Sequence, residues 1–243
     1  MNEGNLLKER YPLKQSKYSS HAWLVEKATE IIMSGKEMTV LDFGCARGDL
    51  LFELKHSKVL QDSSHMFYGV ELEDPDASIA RNRGLEVFTG DIEVCLKKFK
   101  KGSIDLIILG DVLEHLVNPL NYLMEFKSLL STSGKMLITI PNIAFIYVRL
   151  MLLFGRWNYV DRGPLDRTHL RFFTVSSFAE LVRFGGLTIE EQNFSSPPLE
   201  VIFMNSNLSI WKYLEFLTRI LTVLMPKLFG YQLLAIVRNS VDS

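Results

Sequence analysis

The sequence predicts an α/β fold: a doubly wound, seven-stranded, mostly parallel sheet with helices on both faces and a helical cap after the fifth strand. Three observations carry this expectation. Short apolar runs alternate with helical patterns between residues 39 and 140 at short linker lengths, the signature of a parallel sheet covered by helices. Thr39 to Leu51, TVLDFGCARGDLL, reads as strand, tight small-residue loop and helix. Finally, Asp42, Glu71, Asp91 and Asp111 each fall at the end of an apolar run, where open α/β sheets hold their ligands.

In chain order, Ser20 to Met33 has a helical pattern through Trp23, Leu24, Ala28, Ile31 and Ile32, with Ser20 as the expected cap and Gly35 as the stop. Thr39 to Phe43 is the first strand, and Gly48 to His56 the first crossover helix. Met66 to Leu72 is the second strand, followed by a helix that Pro75 opens. Leu85 to Phe88 is the third strand, leading through Thr89-Gly90-Asp91 into a short helix from Ile92. Ile104 to Leu109 is the fourth strand, and Asn118-Pro119 starts the next helix as cap and first turn. After a turn at Ser131 to Gly134, Lys135 to Ile140 is the fifth strand.

Beyond it the alternation breaks. Asn142 to Gly155 reads as an apolar helix, Arg156 to Arg171 as a loop dense in polar and aromatic groups. Phe172 to Gly185 returns to helix, with Thr174 or Ser177 as cap and Glu180 completing a Ser-x-x-Glu box. Leu187 to Phe194 and Tyr231 to Arg238 are the last strands. Between them, residues 208–229 form an amphipathic helix with a narrow polar stripe of Lys212, Glu215 and Arg219. It suits burial, a homodimer interface or peripheral contact with a bilayer. Ile143 to Phe154 is too short to span a membrane, and residues 208–229 are interrupted by charges and Pro226.

At 243 residues the chain suits one domain with a small cap. The expected division is an N-terminal arm and helix over 1–36 and a main domain over 37–243, with the cap at about 142–173. The formal net charge of −1 gives no basic footprint for nucleic acid. Cys45 and Cys95 form no spaced framework, which fits a reducing compartment. The first residues lack the apolar core of a signal peptide, so a cytoplasmic location is expected, with membrane association through 208–229 as the exception.

Spacing decides what the small-residue loop holds. A dinucleotide fingerprint would need glycine at Asp49, and a P-loop would need Gly-Lys-Ser/Thr. What stands is D-x-G-x-A-x-G from Asp42 to Gly48. This resembles motif I of the class I S-adenosylmethionine (SAM)-dependent methyltransferases, D-x-G-x-G-x-G, with Ala46 replacing the middle glycine. VLDFGCARG, GVELED, GDIE and DVLEHLVNP follow in that family's order. DVLEHLVNP is similar to the corresponding run of the ubiquinone-biosynthesis-like methyltransferases. PNIAFIYVRLMLLFGRWNY and LDRTHLRFFT resemble a bacterial subgroup met in surface-polysaccharide and lipid biosynthesis.

The resemblance implies a Rossmann-like fold and S-adenosylmethionine as cofactor. It places Gly44, Cys45, Ala46 and Gly48 against the methionine part, with Asp42 accepting from its amino group. Glu71, followed by Leu72, would hold the ribose hydroxyls. Asp91 and Ile92 would meet the adenine edge, and Asp111 and Val112 would close the pocket beneath the sulfonium. Arg47 departs from the small or polar residue usual there.

Methyl transfer to a hydroxyl, or as second choice an amine, benefits from a general base, and histidine suits that role. His115 and His169 are the candidates. Each also has a structural reading: His115 bonded to backbone in its loop, His169 anchoring the Asp166-Arg167-Thr168 turn. His21 would reach the site only if the N-terminal segment folded over it, and His56 and His65 lie away from the strand ends. Asn142, Tyr159 and Arg167 are the candidate substrate contacts. The sequence displays no metal-ligand cluster, so no metal is expected. The function expected is methylation of a small or lipid-linked metabolite. The rival reading is a non-catalytic SAM-binding or partner-binding module that keeps the fold.

Overall fold

Strands that bury alternate residues on opposite faces set the architecture. In the computed structural model, which describes residues 19–60, 64–197, 199 and 210–240, the strands are β1 (Thr39–Phe43), β2 (Met66–Glu71), β3 (Glu86–Thr89), β4 (Ile104–Gly110), β5 (Leu130–Pro141), β6 (Leu187–Ser195) and β7 (Gln232–Asn239). They form one sheet in the order β3-β2-β1-β4-β5-β7-β6. The helices are α1 (Ser20–Met33), α2 (Asp49–Lys55), α3 (Asp74–Asn82), α4 (Ile92–Leu96), α5 (Pro119–Leu129), α6 (Ile146–Leu153), α7 (Val175–Phe184), α8 (Ile210–Leu224) and α9 (Pro226–Phe229). A 3₁₀ turn covers Leu113–His115.

Leu41, Phe43, Ile107, Leu109 and Ile138 face one core, with Phe126 of α5 and Phe178 of α7. Val40, Leu106, Ile108 and Leu137 face the other, covered by Leu24, Ala28 and Ile32 of α1 and Leu51 and Leu54 of α2. Each fully buried aliphatic side chain contributes roughly 1.5–3 kcal/mol. Helices on both faces are what parallel strands require.

The expected parallel arrangement holds among β1 to β5. It needs correction at β7, which runs antiparallel to both β5 and β6 and makes the sheet mixed. Ser195, ending β6, pairs with Gln232, opening β7. Neighbouring strands joined at the same end must run in opposite directions.

One cap shifts from the expected residue, and one expected cap closes its box differently. The side chain of Ser19, not Ser20, accepts from Ala22 N–H at 3.1 Å. Thr174 caps α7 in a box closed by Ser177 rather than by Glu180. Capping at Thr174 starts that helix at Val175, later than the apolar pattern alone indicates.

The segment after β5 is less helical than expected. α6 is eight residues long and buries Val148 alone, while Tyr147, Leu150, Leu152, Leu153 and Phe154 are exposed. An irregular stretch follows, pinned by a bridge between Val160 and Asp166. α8 likewise exposes Tyr213, Phe216, Leu217, Ile220, Val223 and Leu224. Among the described residues no helix is long and apolar enough to cross a membrane.

Candidate active site

Sheet order reverses between β1 and β4, and the strands' C-terminal ends there open a crevice. The loop after β1 supplies its floor. Gly44 and Gly48 have φ of +74° and +72°, in the left-handed region that favours glycine. A Cβ at Gly48 would lie 2.3 Å from Leu85 Cδ1. One at Gly44 would lie 3.0 Å from Val112 Cγ2, so the loop after β1 and the segment after β4 approach closely across the crevice.

Ala46 is also left-handed, with φ 46°. Its N–H donates to Glu71 Oε2 at 2.8 Å, and Glu71 Oε1 accepts from Glu73 N–H at 3.0 Å. The carboxylate at the end of β2 therefore closes the loop. Each oxygen retains acceptor capacity for a further donor. Arg47 points across to α3, its Nε 3.1 Å from Asp76 Oδ1.

Asp42 is buried beneath the loop. Burial first, and the Glu71 charge second, push its carboxyl up to about 7. The Cys45 thiol is pushed up by burial and by the Asp42 and Glu71 charges, which keeps it protonated and unreactive. Leu72 is exposed, and Ile92 packs half-buried against the core. The Asp91 side chain caps α4, accepting from Glu93 N–H at 3.1 Å.

Asp111 follows β4 with φ 57°. Its Oδ1 accepts from the Thr139 hydroxyl at 2.8 Å, and Gln232 Nε2 donates to Oδ1 and Oδ2 at 2.7 and 2.9 Å. The Tyr231 phenol is pushed up to about 12 by burial and then by Asp111. Tyr231 and Gln232 come from the far end of the chain. Neither carries a local signal in the sequence beyond membership of an apolar strand.

The structure brings His115 and His169 together, with ring centroids 4.9 Å apart at 73°. His115 Nδ1 lies 3.2 Å from Thr168 O, and His169 Nδ1 lies 3.4 Å from Pro164 O. Burial, and then the neighbouring His115, hold His169 below its ordinary pKa. Glu114, which the sequence analysis did not single out, is buried with Oε1 4.0 Å from His169 Nε2. Where no metal-ligand cluster was visible in the sequence, Glu114, His115 and His169 converge, their ligand atoms within 4.8 Å of one another.

The candidate substrate contacts do not converge. Asn142 is fully buried, its amide donating to Gly230 O at 2.8 Å and accepting from Ala144 N–H at 3.0 Å. Tyr159 is exposed. Arg167 pairs with Asp161 at 2.8 Å, not with Asp166, which instead accepts from the backbone and hydroxyl of Thr168. His21 is bound to Glu53 at 3.1 Å, and His65 Nδ1 accepts from Met38 N–H at 3.1 Å.

A left-handed small-residue loop, a carboxylate at the end of the neighbouring strand and a buried acid thus meet at the strand ends. The profile of a family described as a methyltransferase domain matches residues 22–192. The chain belongs to that family, and S-adenosylmethionine is the expected cofactor. A bifunctional methionine biosynthesis protein MetXA/MetW of Rhodopirellula baltica is 28% identical over 177 residues, covering 70% of this chain and 28% of that protein. The chain thus spans less than a third of that relative.

Among solved structures, a SAM-dependent methyltransferase from Archaeoglobus fulgidus has a TM-score of 0.60 at 18% identity, covering 98% of this chain and 100% of that one. A putative methyltransferase bound to the Trm112 activator of Haloferax volcanii scores 0.60 at 17%, covering 99% and 97%. The [4+2]-cyclase SpnF scores 0.57 at 16%, covering 90% and 82%. These likenesses concern the fold.

The residues present fit the cofactor. Burial and then the Glu71 charge push the Asp42 carboxyl up, and the sulfonium and ammonium of S-adenosylmethionine would offset both by favouring its ionised form. Gly44 is open on its exposed side, so a ligand can approach its backbone.

Proposed function

We propose that the protein transfers a methyl group from S-adenosylmethionine to a hydroxyl, with an amine as the second choice, of a small or lipid-linked acceptor. The observation that carries the reading is the Glu71 carboxylate closing the loop at Ala46 while Asp42 lies buried beneath it. In this reading Gly44, Cys45, Ala46 and Gly48 bring backbone against the methionine part. Asp42 accepts from the ammonium, Glu71 binds the ribose hydroxyls beside Leu72, and Asp91 and Ile92 border the adenine. Asp111, fixed by Thr139 and Gln232, and Val112 lie beneath the reacting end.

The bound cofactor supplies an activated methyl group on a good leaving group. The chain's task is then proximity and alignment and removal of the acceptor's proton. His169 is the proposed base, since its lowered pKa leaves the imidazole neutral and able to take that proton. His115 beside it is the second candidate. Tyr159 and Arg167 are proposed as outer contacts of the acceptor, on the exposed rim.

We also propose the division into an arm and helix over 1–36 and a methyltransferase domain over 37–243, with 142–173 covering the acceptor. The exposed apolar residues of α6 and α8 support an acceptor with an apolar portion, of the quinone or polysaccharide-lipid kind, and a surface contact through α8. A non-catalytic SAM-binding or partner-binding module on the same fold is the second reading.

The test is transfer of isotopically labelled methyl from S-adenosylmethionine to a panel of phenolic quinone precursors, sugar hydroxyls and amines. Labelled product from one hydroxyl class, lost in His169→Gln with cofactor binding kept, supports the reading. Cofactor binding without transfer to any class supports the second.

A further inference from the structure

We propose that Glu114, His115 and His169 form a binding site for a divalent first-row transition-metal ion. The three donors come from two segments far apart in sequence, and the fold takes trouble to join them. Leu170 N–H and Arg171 N–H both donate to the Glu114 carbonyl, at 2.8 and 3.0 Å. The Arg171 guanidinium donates to Val117 O. The loop carrying His169 is thus stitched to the 3₁₀ turn carrying Glu114 and His115.

The imidazoles are oriented as ligands. A carbonyl oxygen can only accept, so the contacts of His115 Nδ1 with Thr168 O and of His169 Nδ1 with Pro164 O place a proton on each Nδ1. In the neutral ring that leaves the Nε2 lone pair as the donor. Fixing one ring nitrogen on a backbone carbonyl is how metal-binding histidines are commonly held. His169 Nε2 and Glu114 Oε1 are 4.0 Å apart, too far for a hydrogen bond. Two ligands about 2.0–2.2 Å from a shared tetrahedral ion lie about 3.4 Å apart, so side-chain shifts of about half an ångström would close this pair on an ion.

Burial of the Glu114 carboxylate favours a positive charge held against it. Two nitrogens and one oxygen select zinc, cobalt or iron(II) over calcium or magnesium, which prefer oxygen ligands. Three protein ligands leave positions open, as in sites that bind a further oxygen ligand. With an ion bound, the Nε2 lone pairs of His169 and His115 are held by the metal, and the ion, by acidifying a bound acceptor hydroxyl, takes the place of the imidazole base; that role rests on the methyltransferase reading, whereas the metal site does not.

The test is titration of the chelator-treated full chain with cobalt(II), followed by visible absorption, and with zinc, followed by calorimetry. One saturable equivalent is expected, with a rise in melting temperature. Affinity should fall at least about tenfold in His169→Ala, Glu114→Gln and His115→Gln. S-adenosylmethionine affinity, measured separately, should stay within about twofold, so failure of the metal site and failure of the cofactor site are distinguishable. His115 is exposed, so its variant keeps the core intact and decides the matter if a variant at a buried position fails to fold. No saturable binding by the wild type, or unchanged binding in folded His115→Gln, would overturn the proposal.

Discussion

The Glu71 carboxylate accepts the backbone N–H of Ala46 at 2.8 Å, so the end of β2 and the loop after β1 form one unit. The same side chain that is proposed to hold a ribose also fixes a loop residue in a left-handed conformation. Cofactor affinity and loop order are therefore coupled, and variants of the loop should report on both.

Ala46 sits at φ 46°, where a residue with a Cβ costs roughly 1–2 kcal/mol. Ala46→Gly should relieve that strain, partly offset by the greater freedom of glycine in the unfolded chain. Urea unfolding should show a stabilisation of up to about 1 kcal/mol.

Gly48 has no such latitude. A methyl group there would meet Leu85 Cδ1 at 2.3 Å and Ala80 Cβ at 3.0 Å, at φ +72°. Gly48→Ala should destabilise by about 2–4 kcal/mol, combining overpacking with backbone strain, and should weaken cofactor binding. Chemical denaturation and calorimetry of the same preparation check both.

Asp42 gives a pH dependence of definite sign. Its folded-state carboxyl is raised to about 7, while the unfolded chain has an ordinary carboxyl near 4. Between those values the folded state binds more protons than the unfolded one. Stability from this group is therefore full at low pH and falls as pH rises from about 4 to about 7. Asp42→Asn should flatten that segment of the stability profile, measured by urea unfolding at a series of pH values. Bound cationic cofactor should shift the wild-type transition to lower pH.

Exposed Leu217 and half-buried Leu221 on α8 bear on the surface contact. Replacing both with glutamate should remove it. Loss of liposome co-sedimentation with unchanged solution mass identifies a bilayer contact, whereas a fall from dimer to monomer identifies a second copy.

Much of the fold was legible because strands β1 to β5 announce themselves locally: short apolar runs, each closed by an acid or a proline. The reversal of β7 was not, since YQLLAIVR reads alike in either direction. The first cap shifted because Ser19 and Ser20 are neighbouring hydroxyls that the sequence ranks equally, while Thr174 capped its helix as one of the two expected residues. That Asp42, Gly44, Gly48 and Glu71 meet at the strand ends was legible, because each falls at or just after the end of an apolar run. Glu114 was not, because an acid beside two leucines in a turn carries no sign that it is buried. Its meeting with His169 depends on a loop folding back across the β4 end. Asn142 misled for the converse reason: a polar residue after a strand-ending proline looks available, yet both its amide ends are spent on backbone.

The central claim is that the loop after β1 and Glu71 bind S-adenosylmethionine. Calorimetric titration of the wild type and of Glu71→Ala, with unfolding curves to confirm that both are folded, tests it most directly. Micromolar binding of S-adenosylmethionine and S-adenosylhomocysteine is expected, weakened at least about tenfold in the variant through loss of charged-acceptor hydrogen bonds. No binding by folded wild-type protein, or equal affinity in the folded variant, would contradict it.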